Sequence, residues 1–506
     1  MSKASSKCET DTLLGESSGD IGQSLELSYN SFFSTRNCIA YAGMVGYFLA
    51  YSSRIILSVA INAMVVQIPE TNAVNENCPL HHNSTAELIP GHLEKGTFNW
   101  TVKEQGYVLS SFFYGSGLTQ FPSGIIASKF GGKLSFAIGV VGTGICTFLT
   151  PTFAFIGVYE LCALRFLMGI LQGLVFTSMN HLMGVWVPEF ERSFYSALVG
   201  GAADIGNIFS PIIAGYLCSL DFMHGWPLIF YLHGLISLGW LSVWWRVASD
   251  TPSSHPRILE AEMTYITNNT AQSTTRTPFP WKRALTNGPV LALIVAQSCS
   301  NWINIGVMLL LSPYISRVLN YDLSANGIFS CLPWLCSSSM ILVFSSLTDL
   351  LRKKRIVSTG VARKVNQSVG SFLPAVLFIL AAHSGCNTST TILLFTLGMV
   401  CFAATFSGYH CNHLDLAPNY AGILFAVCNQ FAVLPGIMLP NFVTYYTQNN
   451  VHSPELWQNV FYLLGGISSI GGVIYLLFGS GERQKWSYET EIETENEYQV
   501  LKLEKS

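Results

Sequence analysis

The sequence predicts an all-α integral membrane protein whose twelve transmembrane helices form two six-helix, pseudo-symmetric bundles. Of its 506 residues, 50% are hydrophobic and only 11% are charged, whereas soluble globular proteins are roughly a quarter charged. Apolar runs that are long enough to cross a hydrocarbon core of about 30 Å recur along the chain. These runs lie at 38–64, 105–127, 134–156, 159–185, 194–218, 227–247, 288–312, 326–347, 366–383, 390–411, 421–443 and 457–478.

A polar segment with several prolines, residues 248–287, divides the twelve runs into six and six. Two similar bundles that flank a substrate site near the middle of the bilayer are typical of secondary transporters. We therefore expect an N-terminal bundle at 38–247 and a C-terminal bundle at 288–478. The other predicted segments are the tails 1–37 and 479–506, the lumenal loop 65–104 and the cytosolic central loop 248–287.

The positions of the basic residues predict how the chain crosses the membrane. With an even number of spans and a cytosolic N-terminus, the lumenal loops hold only Lys95, Lys103 and Arg317 of the 26 lysines and arginines. This asymmetry follows the positive-inside rule. The first 37 residues lack the apolar core and cleavage site of a signal peptide, so we expect a retained, disordered, cytosolic tail. Both termini are then cytosolic.

Two loops at corresponding positions in the two halves are similar to each other. Residues 124–133 (GIIASKFGGK) join spans two and three, and residues 345–355 (SSLTDLLRKKR) join spans eight and nine. Small residues allow helices to approach closely, and basic residues suit the cytosolic face. The first loop resembles the signature loop of the major facilitator superfamily, with Ser128 where an aspartate is usual, and the second keeps that aspartate. The residues expected to act in gating or structure are Gly124, Gly131, Gly132, Lys133 and Asp349, with Asn412, His413 and Asp415 at the cytosolic end of the tenth span.

Seven further stretches, spread over most of the membrane-spanning part, carry a narrower resemblance. They read QGYVLSSFFYG at 105–115, ALRFLMG at 163–169, VPEFERS at 187–193, GWPLIFY at 225–231, HPRI at 255–258, NHLDLAPNYAGIL at 412–424 and LWQNVFY at 456–462. The chain resembles the anion-transporter family that contains sialin, the vesicular glutamate transporters and the sodium-phosphate-type organic anion transporters. This resemblance implies substrates such as sialic acid, other acidic sugars, aspartate or glutamate.

Two arginines lie inside predicted spans, where an ionisable group costs about 2.5–3.5 kcal/mol. They are Arg54 in the first span and Arg165 in the fourth. A guanidinium stays charged and matches the two oxygens of a carboxylate, so the pair predicts an anion-binding site. The alternative for each is a snorkelling side chain or a contact between helices. The resemblance also implies substrate-binding arginines at these positions. We expect the site to be completed by Tyr51, Tyr114, Gln172 and Asn301.

Coupling to protons requires a titratable group inside the membrane. The resemblance implies acidic residues, in sialin-like members, where this chain has Met168 and Gln172, and a histidine where it has Asn180. Asp204 in the fifth span is the remaining coupling candidate, and its alternative is a structural partner for one of the two arginines. His233 in the sixth span is either a packed core histidine or a second coupling candidate.

The sequence therefore predicts a secondary transporter that moves small organic anions by alternating access and is driven by a proton gradient. We expect it to need no cofactor or metal. The alternatives are a facilitator driven by membrane potential or chloride, and a non-transporting anion sensor. An enzyme is not expected, because no metal-ligand spacing, phosphate-binding loop or nucleophile motif occurs in the sequence. The expected partners are the substrate, membrane lipid and clathrin adaptors bound to the tails. We expect a monomer that binds no nucleic acid.

Loop and tail residues predict how the protein is processed and where it works. Asn83 begins a glycosylation sequon in the first lumenal loop. Cys78 and Cys386 lie in lumenal loops of the two halves and could form a disulfide, although the sequence does not give their separation. Two short patterns resemble sorting signals and favour lysosomes, endosomes or secretory vesicles over the plasma membrane. Their residues are Glu9, Leu13 and Leu14 in the N-terminal tail and Tyr498 and Leu501 in the C-terminal tail.

Overall fold

The computed structural model describes residues 34–66, 96–188, 192–220, 225–269, 279–319, 321, 323–447 and 450–488, which are almost entirely helical. The α-helices are α1 (Thr35–Met64), α2 (Val102–Gln120), α3 (Ser123–Phe130), α4 (Gly132–Ile156), α5 (Val158–Trp186), α6 (Arg192–Ser219), α7 (Trp226–Val247), α8 (Glu260–Asn269), α9 (Trp281–Leu285), α10 (Gly288–Arg317), α11 (Leu323–Lys353), α12 (Thr359–Ala382), α13 (Thr388–Phe402), α14 (Tyr409–Leu416), α15 (Ala421–Ala432), α16 (Leu434–Thr447) and α17 (Pro454–Phe478). Short 3₁₀-helices lie at Pro252–Ser254, Ala403–Phe406 and Pro418–Tyr420.

Eleven helical stretches within the described ranges are long and apolar enough to cross a membrane. They correspond to the predicted spans except the second, which is α2. This helix has only 19 residues and begins with the polar residues Lys103, Glu104 and Gln105, so it is less apolar than the others. It still packs along α5 as a full member of its bundle. With α2 included, each bundle contains six helical segments of membrane-spanning length.

Glycines bring α2 and α5 into close contact in the first bundle. A Cβ atom on Gly169 would lie 2.0 Å from the backbone oxygen of Phe112, and one on Gly115 would lie 2.0 Å from the backbone oxygen of Phe166. Any larger residue at either position would therefore push the helices apart. This contact places Phe112 beside the segment of α5 that carries Arg165.

The two halves meet through α6 with α11, α2 with α16, and α1 with α10. At the end that is lumenal in the predicted topology, polar side chains cross between the halves. The Asn62 amide donates to the Ser312 hydroxyl at 3.2 Å, and the Thr444 hydroxyl donates to the Val102 carbonyl at 3.3 Å. These bonds link the two halves at that end.

The loop between α3 and α4 is held by the end of α7. The backbone N–H of Lys133 donates to Asp250 at 2.8 Å, and its side chain donates to the Trp245 carbonyl at 3.2 Å. Gly131 has φ +87°, and a Cβ there would lie 2.6 Å from the Asp250 carboxylate. Only glycine combines that backbone conformation with that contact without strain.

The other two glycines of this loop differ from each other. A Cβ on Gly132 would lie 2.6 Å from the Leu182 side chain, so this residue does allow α4 to pack closely on α5. A Cβ on Gly124 would meet nothing within 4 Å. The expectation of close helix approach is therefore wrong for Gly124, because its α-carbon faces open space.

The central loop is attached to the first half by Glu262 of α8, which is only 1% exposed. Its two carboxylate oxygens accept hydrogen bonds from the backbone N–H groups of Thr35 and Arg36, at 3.1 and 3.0 Å. These groups belong to the first turn of α1, where the side chain of Ser34 makes no capping bond. A carboxylate at a helix N-terminus also interacts favourably with the helix dipole. Glu262 thus caps a transmembrane helix that lies 226 residues earlier in the chain.

Glu262→Ala is expected to destabilise the protein by about 2–3 kcal/mol, because it removes the acceptor of one buried and one partly buried backbone N–H group. The measurement is the half-life of the monodisperse protein at a fixed elevated temperature, read by size-exclusion chromatography. Glu260→Ala is the matched control, since Glu260 lies one half-turn earlier on α8 and is exposed. Equal half-lives for the two variants would contradict the capping role.

Candidate functional site

Arg54 of α1 and Arg165 of α5 both approach one aromatic ring. The guanidinium carbon of Arg54 lies 5.7 Å from the centroid of the Phe112 ring, and that of Arg165 lies 5.2 Å from the same centroid. Arg54 also lies 4.7 Å from the centroid of Phe113. The structure therefore brings together the two predicted arginines and adds two phenylalanines of α2 that the sequence did not indicate.

Neither guanidinium forms an ion pair with a carboxylate in the described part of the chain. Arg165 is 3% exposed, and its Nη1 donates to the sulfur of Met168 at 3.2 Å, which is a weak acceptor. The Nε atoms of Arg54 and Arg165 are buried without a hydrogen-bond partner. Contact with aromatic rings stabilises such cations by about 2 kcal/mol when they are desolvated. The hydrogen-bonding capacity that remains is suited to the oxygens of an anion.

Gln172 connects α5 to α1 at the edge of this arginine pair. Its Nε2 donates to the Ala50 carbonyl at 2.6 Å, while its Oε1 is buried without a partner. The free atom is an acceptor, so it cannot bind a carboxylate oxygen but can accept a bond from a hydroxyl or ammonium group. Tyr51 lies on the next residue of α1, within electrostatic range of Arg54 and Asp204. Tyr51 thus lies near Arg54, and Gln172 contacts the turn of α1 that precedes Arg54; their contact with an anion stays a prediction.

Tyr114 does not join the arginine pair. It follows Phe112 by two residues, and at about 100° per residue it points to a different face of α2. Its side chain is 48% exposed and lines a cavity of about 470 Å³ on α16, together with residues such as Met438 and Tyr445. Asn301 lies half-buried on α10 and forms no hydrogen bond with the described residues. Neither side chain contacts Arg54 or Arg165 among the described residues, so a role of Tyr114 and Asn301 at the anion site stays a prediction.

Asp204 and His233 have different surroundings. Asp204 is half-buried on α6 and forms no ion pair with Arg54 or Arg165. Its structural alternative, that of a partner holding one arginine in place, therefore has no support in these contacts. His233 is 6% exposed, and its Nε2 donates to the Leu49 carbonyl of α1 at 2.9 Å. This bond is typical of a packed core histidine.

An aromatic layer separates the arginine pair from the end that is cytosolic in the predicted topology. Phe176, one helical turn after Gln172, lies 5.2 Å from Phe425 of the other half, measured between ring centroids. Phe425 in turn contacts His410 and His413 at 5.4 and 5.1 Å. Sequence reasoning missed both phenylalanines, since an aromatic residue in an apolar span carries no distinguishing signal.

Asp415 forms a brace inside the second half. Its carboxylate accepts a hydrogen bond from Nε of Arg363 at 2.7 Å, and Arg363 also donates to the Ser407 carbonyl at 2.8 Å. The neighbouring Asn412 is fully buried, and neither atom of its amide has a partner. Asp349 pairs with Arg352 of its own helix at 3.6 Å and is largely exposed. Of these residues, Asp415 has the clearest structural contact.

Cys386 takes part in a disulfide. Several of the predicted modification and sorting residues cannot be placed relative to it, because they lie outside the described residues. They are Cys78, Asn83, Glu9, Leu13, Leu14, Tyr498 and Leu501.

Comparison with known proteins gives a consistent result over most of the chain. A family model described as "Major Facilitator Superfamily" matches residues 43–440. Human sialin is 34% identical over 90% of this chain and 91% of its own length. Bovine vesicular glutamate transporter 1 is 30% identical over 91% of this chain and 80% of its own length. A putative inorganic phosphate cotransporter of Drosophila melanogaster is 32% identical over 92% and 89% of the two chains.

Solved structures share the fold at low sequence identity. A bacterial homolog to the human lysosomal transporter Spinster, inward-facing and unoccupied, has a TM-score of 0.65 at 12% identity and covers 88% of this chain and 97% of its own. The Escherichia coli xylose transporter XylE, in its inward open conformation, has a TM-score of 0.64 at 13% identity and covers 90% and 99% of the two chains. These similarities support the two-bundle architecture and carry no information on the substrate.

Proposed function

The chain belongs to the major facilitator superfamily, and on that premise we propose that it binds a small organic anion between Arg54 and Arg165 and carries it across the membrane by alternating access. It is a multi-pass membrane protein and, like its relatives, a secondary transporter of organic anions rather than an enzyme. The finer steps of the proposal concern the substrate, the driving ion and the membrane in which it works.

One observation carries the proposal: the buried guanidinium of Arg165 and the half-buried one of Arg54 share the Phe112 ring and have no acidic partner among the described residues. A buried charge without a partner is costly, and a structural role would normally supply a carboxylate. An anionic substrate supplies that missing charge each time it binds. This explains why the site is built from cations, aromatic rings and neutral polar atoms.

The substrate we propose carries a hydrogen-bond donor close to its carboxylate. Its carboxylate would bind the arginines, and the donor would reach the free Oε1 of Gln172. Acidic sugars such as sialic acid, and the acidic amino acids aspartate and glutamate, carry both groups. The name of the vesicular glutamate transporter, one of the relatives, agrees with this class of substrate.

For the driving force we propose a proton gradient, with Asp204 as the group that takes up and releases the proton. Asp204 is half-buried near Tyr51 and free of ion pairs among the described residues, so its charge is not neutralised by a fixed partner. The second candidate is a facilitator driven by membrane potential or chloride. It is favoured by Met168 and Gln172, which stand where the resemblance implies acids.

For the membrane we propose lysosomes or related vesicles, with both termini in the cytosol. The proposal rests on the sorting patterns of the two tails and on the positive-inside distribution of basic residues. We also propose that Asn83 is glycosylated and that Cys78 is the partner of Cys386. All three residues would then lie in the lumen, where disulfides and glycans form.

The decisive experiment is counterflow in liposomes that contain the purified full-length chain. Vesicles loaded with unlabelled sialic acid, glutamate, aspartate or phosphate are diluted into the same labelled anion. We expect the vesicles to exchange at least one labelled carboxylate. We also expect them to accumulate it when the outside solution is more acidic than the vesicle interior. Accumulation that follows an imposed membrane potential or chloride gradient instead would favour the facilitator. Binding without any exchange would support the anion sensor.

A further inference from the structure

Arg317 is the last residue of α10, and its side chain crosses from the second half of the molecule to the first. Its Nη2 donates a hydrogen bond to Oε1 of Gln105, in the first turns of α2. The amide of Gln105 is fixed at its other atom, since Nε2 donates to the Trp100 carbonyl at 3.0 Å. The end of α10 is fixed as well, because His452 Nδ1 donates to the Arg317 carbonyl at 2.8 Å. Both partners of this contact are therefore held in place.

The acceptor that Arg317 uses is neutral. No carboxylate pairs with this guanidinium in the described ranges, and the adjoining small cavity is lined by uncharged residues such as Val102, Leu309 and Trp457. A carboxylate adds charge attraction to the hydrogen bond and can accept two parallel N–H groups of one guanidinium, whereas the Gln105 oxygen is neutral and accepts one. An anion can thus replace Gln105 as the partner of Arg317, whereas a fixed acidic partner would have blocked the exchange.

Arg317 also lies in line with the arginine pair. Five residues earlier on α10, or about 7.5 Å along the helix, Ser312 bonds to Asn62 of α1. Arg54 lies eight residues before Asn62 on the same helix, which is about 12 Å further. The contact surface between the halves therefore leads from Arg317 past one polar pair to the proposed anion site.

We propose that Arg317 and Gln105 form a latch that closes the lumenal end, and that Arg317 is the first binding site for the carboxylate of the anion once the latch opens. The second part rests on the proposed function. The latch adds a third arginine to the path of the anion, and this arginine exchanges a neutral partner for a charged one as the conformation changes.

Two variants of the full-length protein in liposomes separate the two roles. Gln105→Met removes the latch but keeps the charge of Arg317. Arg317→Gln removes the charge but keeps a side chain that can hydrogen-bond Gln105. Lys103→Gln is the control, since it removes an exposed cation at the same end of α2. The readouts are hydrogen–deuterium exchange of residues 100–110 and the KM for labelled N-acetylneuraminate or L-glutamate, measured separately from each face in vesicles of known orientation.

Gln105→Met should accelerate exchange in residues 100–110 about tenfold and leave the KM within twofold of the wild type. Arg317→Gln should raise the KM measured from the lumenal face about tenfold, because one hydrogen bond to a charged group is lost. The KM measured from the cytosolic face should not change. Unchanged hydrogen exchange in Gln105→Met would overturn the latch. A lumenal KM of Arg317→Gln no higher than that of Lys103→Gln would overturn the anion contact.

These outcomes are distinguishable from failure of the proposed function. A wild-type chain that exchanges no labelled anion would refute the proposed function and, with it, the anion contact of Arg317. The hydrogen exchange of Gln105→Met would still decide whether the latch exists. A wild-type chain that exchanges anion while Arg317→Gln behaves like Lys103→Gln would leave the proposed function intact and refute only the anion contact.

Discussion

Arg54→Met is expected to lower kcat/KM for counterflow of a labelled carboxylate by at least about a hundredfold. A guanidinium that binds a carboxylate through two hydrogen bonds contributes about 1.5–3 kcal/mol for each, and both are lost in this variant. Arg54→Lys should retain part of the activity, because it keeps the charge but not the planar fork. Arg246→Met is the matched control, since Arg246 is an exposed arginine at the end of α7.

The double variant tests whether the two arginines bind one anion. If Arg54 and Arg165 hold the same carboxylate, their losses are strongly coupled, and Arg54→Met with Arg165→Met should be little worse than the poorer single variant. Losses that add in full would indicate two separate sites. Wild-type counterflow in a folded Arg54→Met protein would refute the anion site itself. Size-exclusion chromatography of each variant excludes misfolding as the cause.

The sequence was sufficient to predict the two arginines but not the ring between them. A charged residue in an apolar span is conspicuous, because its presence there is costly. Phe112 and Phe113 are apolar residues in an apolar run, so no pattern distinguishes them from ordinary lipid-facing or core positions. The contact of Phe112 with Arg165 depends on the close approach of α2 and α5 at Gly115 and Gly169, which are 54 positions apart and recognisable as partners only in the folded chain.

Sequence reasoning was less successful where side-chain direction or long-range contact decides the role. The position of Tyr114 in the second span predicts a place in the site, whereas in the structure its side chain lines a cavity with residues of α16. Gln105 and Glu262 are polar residues near the ends of helices, where solvated residues are common. Their actual partners, Arg317 and the first turn of α1, come from distant parts of the chain. The fold class could be predicted from the sequence because the length and spacing of the apolar runs are local properties. These contacts join distant parts of the chain and cannot be predicted in that way.

Asp204→Asn is expected to abolish accumulation driven by a pH gradient while leaving counterflow within about threefold of the wild type. Asparagine has nearly the shape of a protonated aspartate but cannot release a proton, so the variant would carry the anion without coupling its movement to protons. The structure makes this separation feasible, since Asp204 forms no ion pair with the anion-binding arginines in the described residues. Its loss should therefore not disturb the substrate site directly.

His233→Gln is the matched control for Asp204→Asn, because His233 is the other buried titratable candidate of the first half. Glutamine can keep donating to the Leu49 carbonyl, which is the bond that His233 makes in the structure. We therefore expect His233→Gln to accumulate anion in a pH gradient as the wild type does, and Asp204→Glu to recover part of the accumulation lost in Asp204→Asn. If Asp204→Asn accumulates normally and His233→Gln does not, the proton is carried by the histidine. If both variants accumulate anion normally in the pH gradient, the proton is carried by neither residue, and the assignment of coupling to Asp204 is wrong.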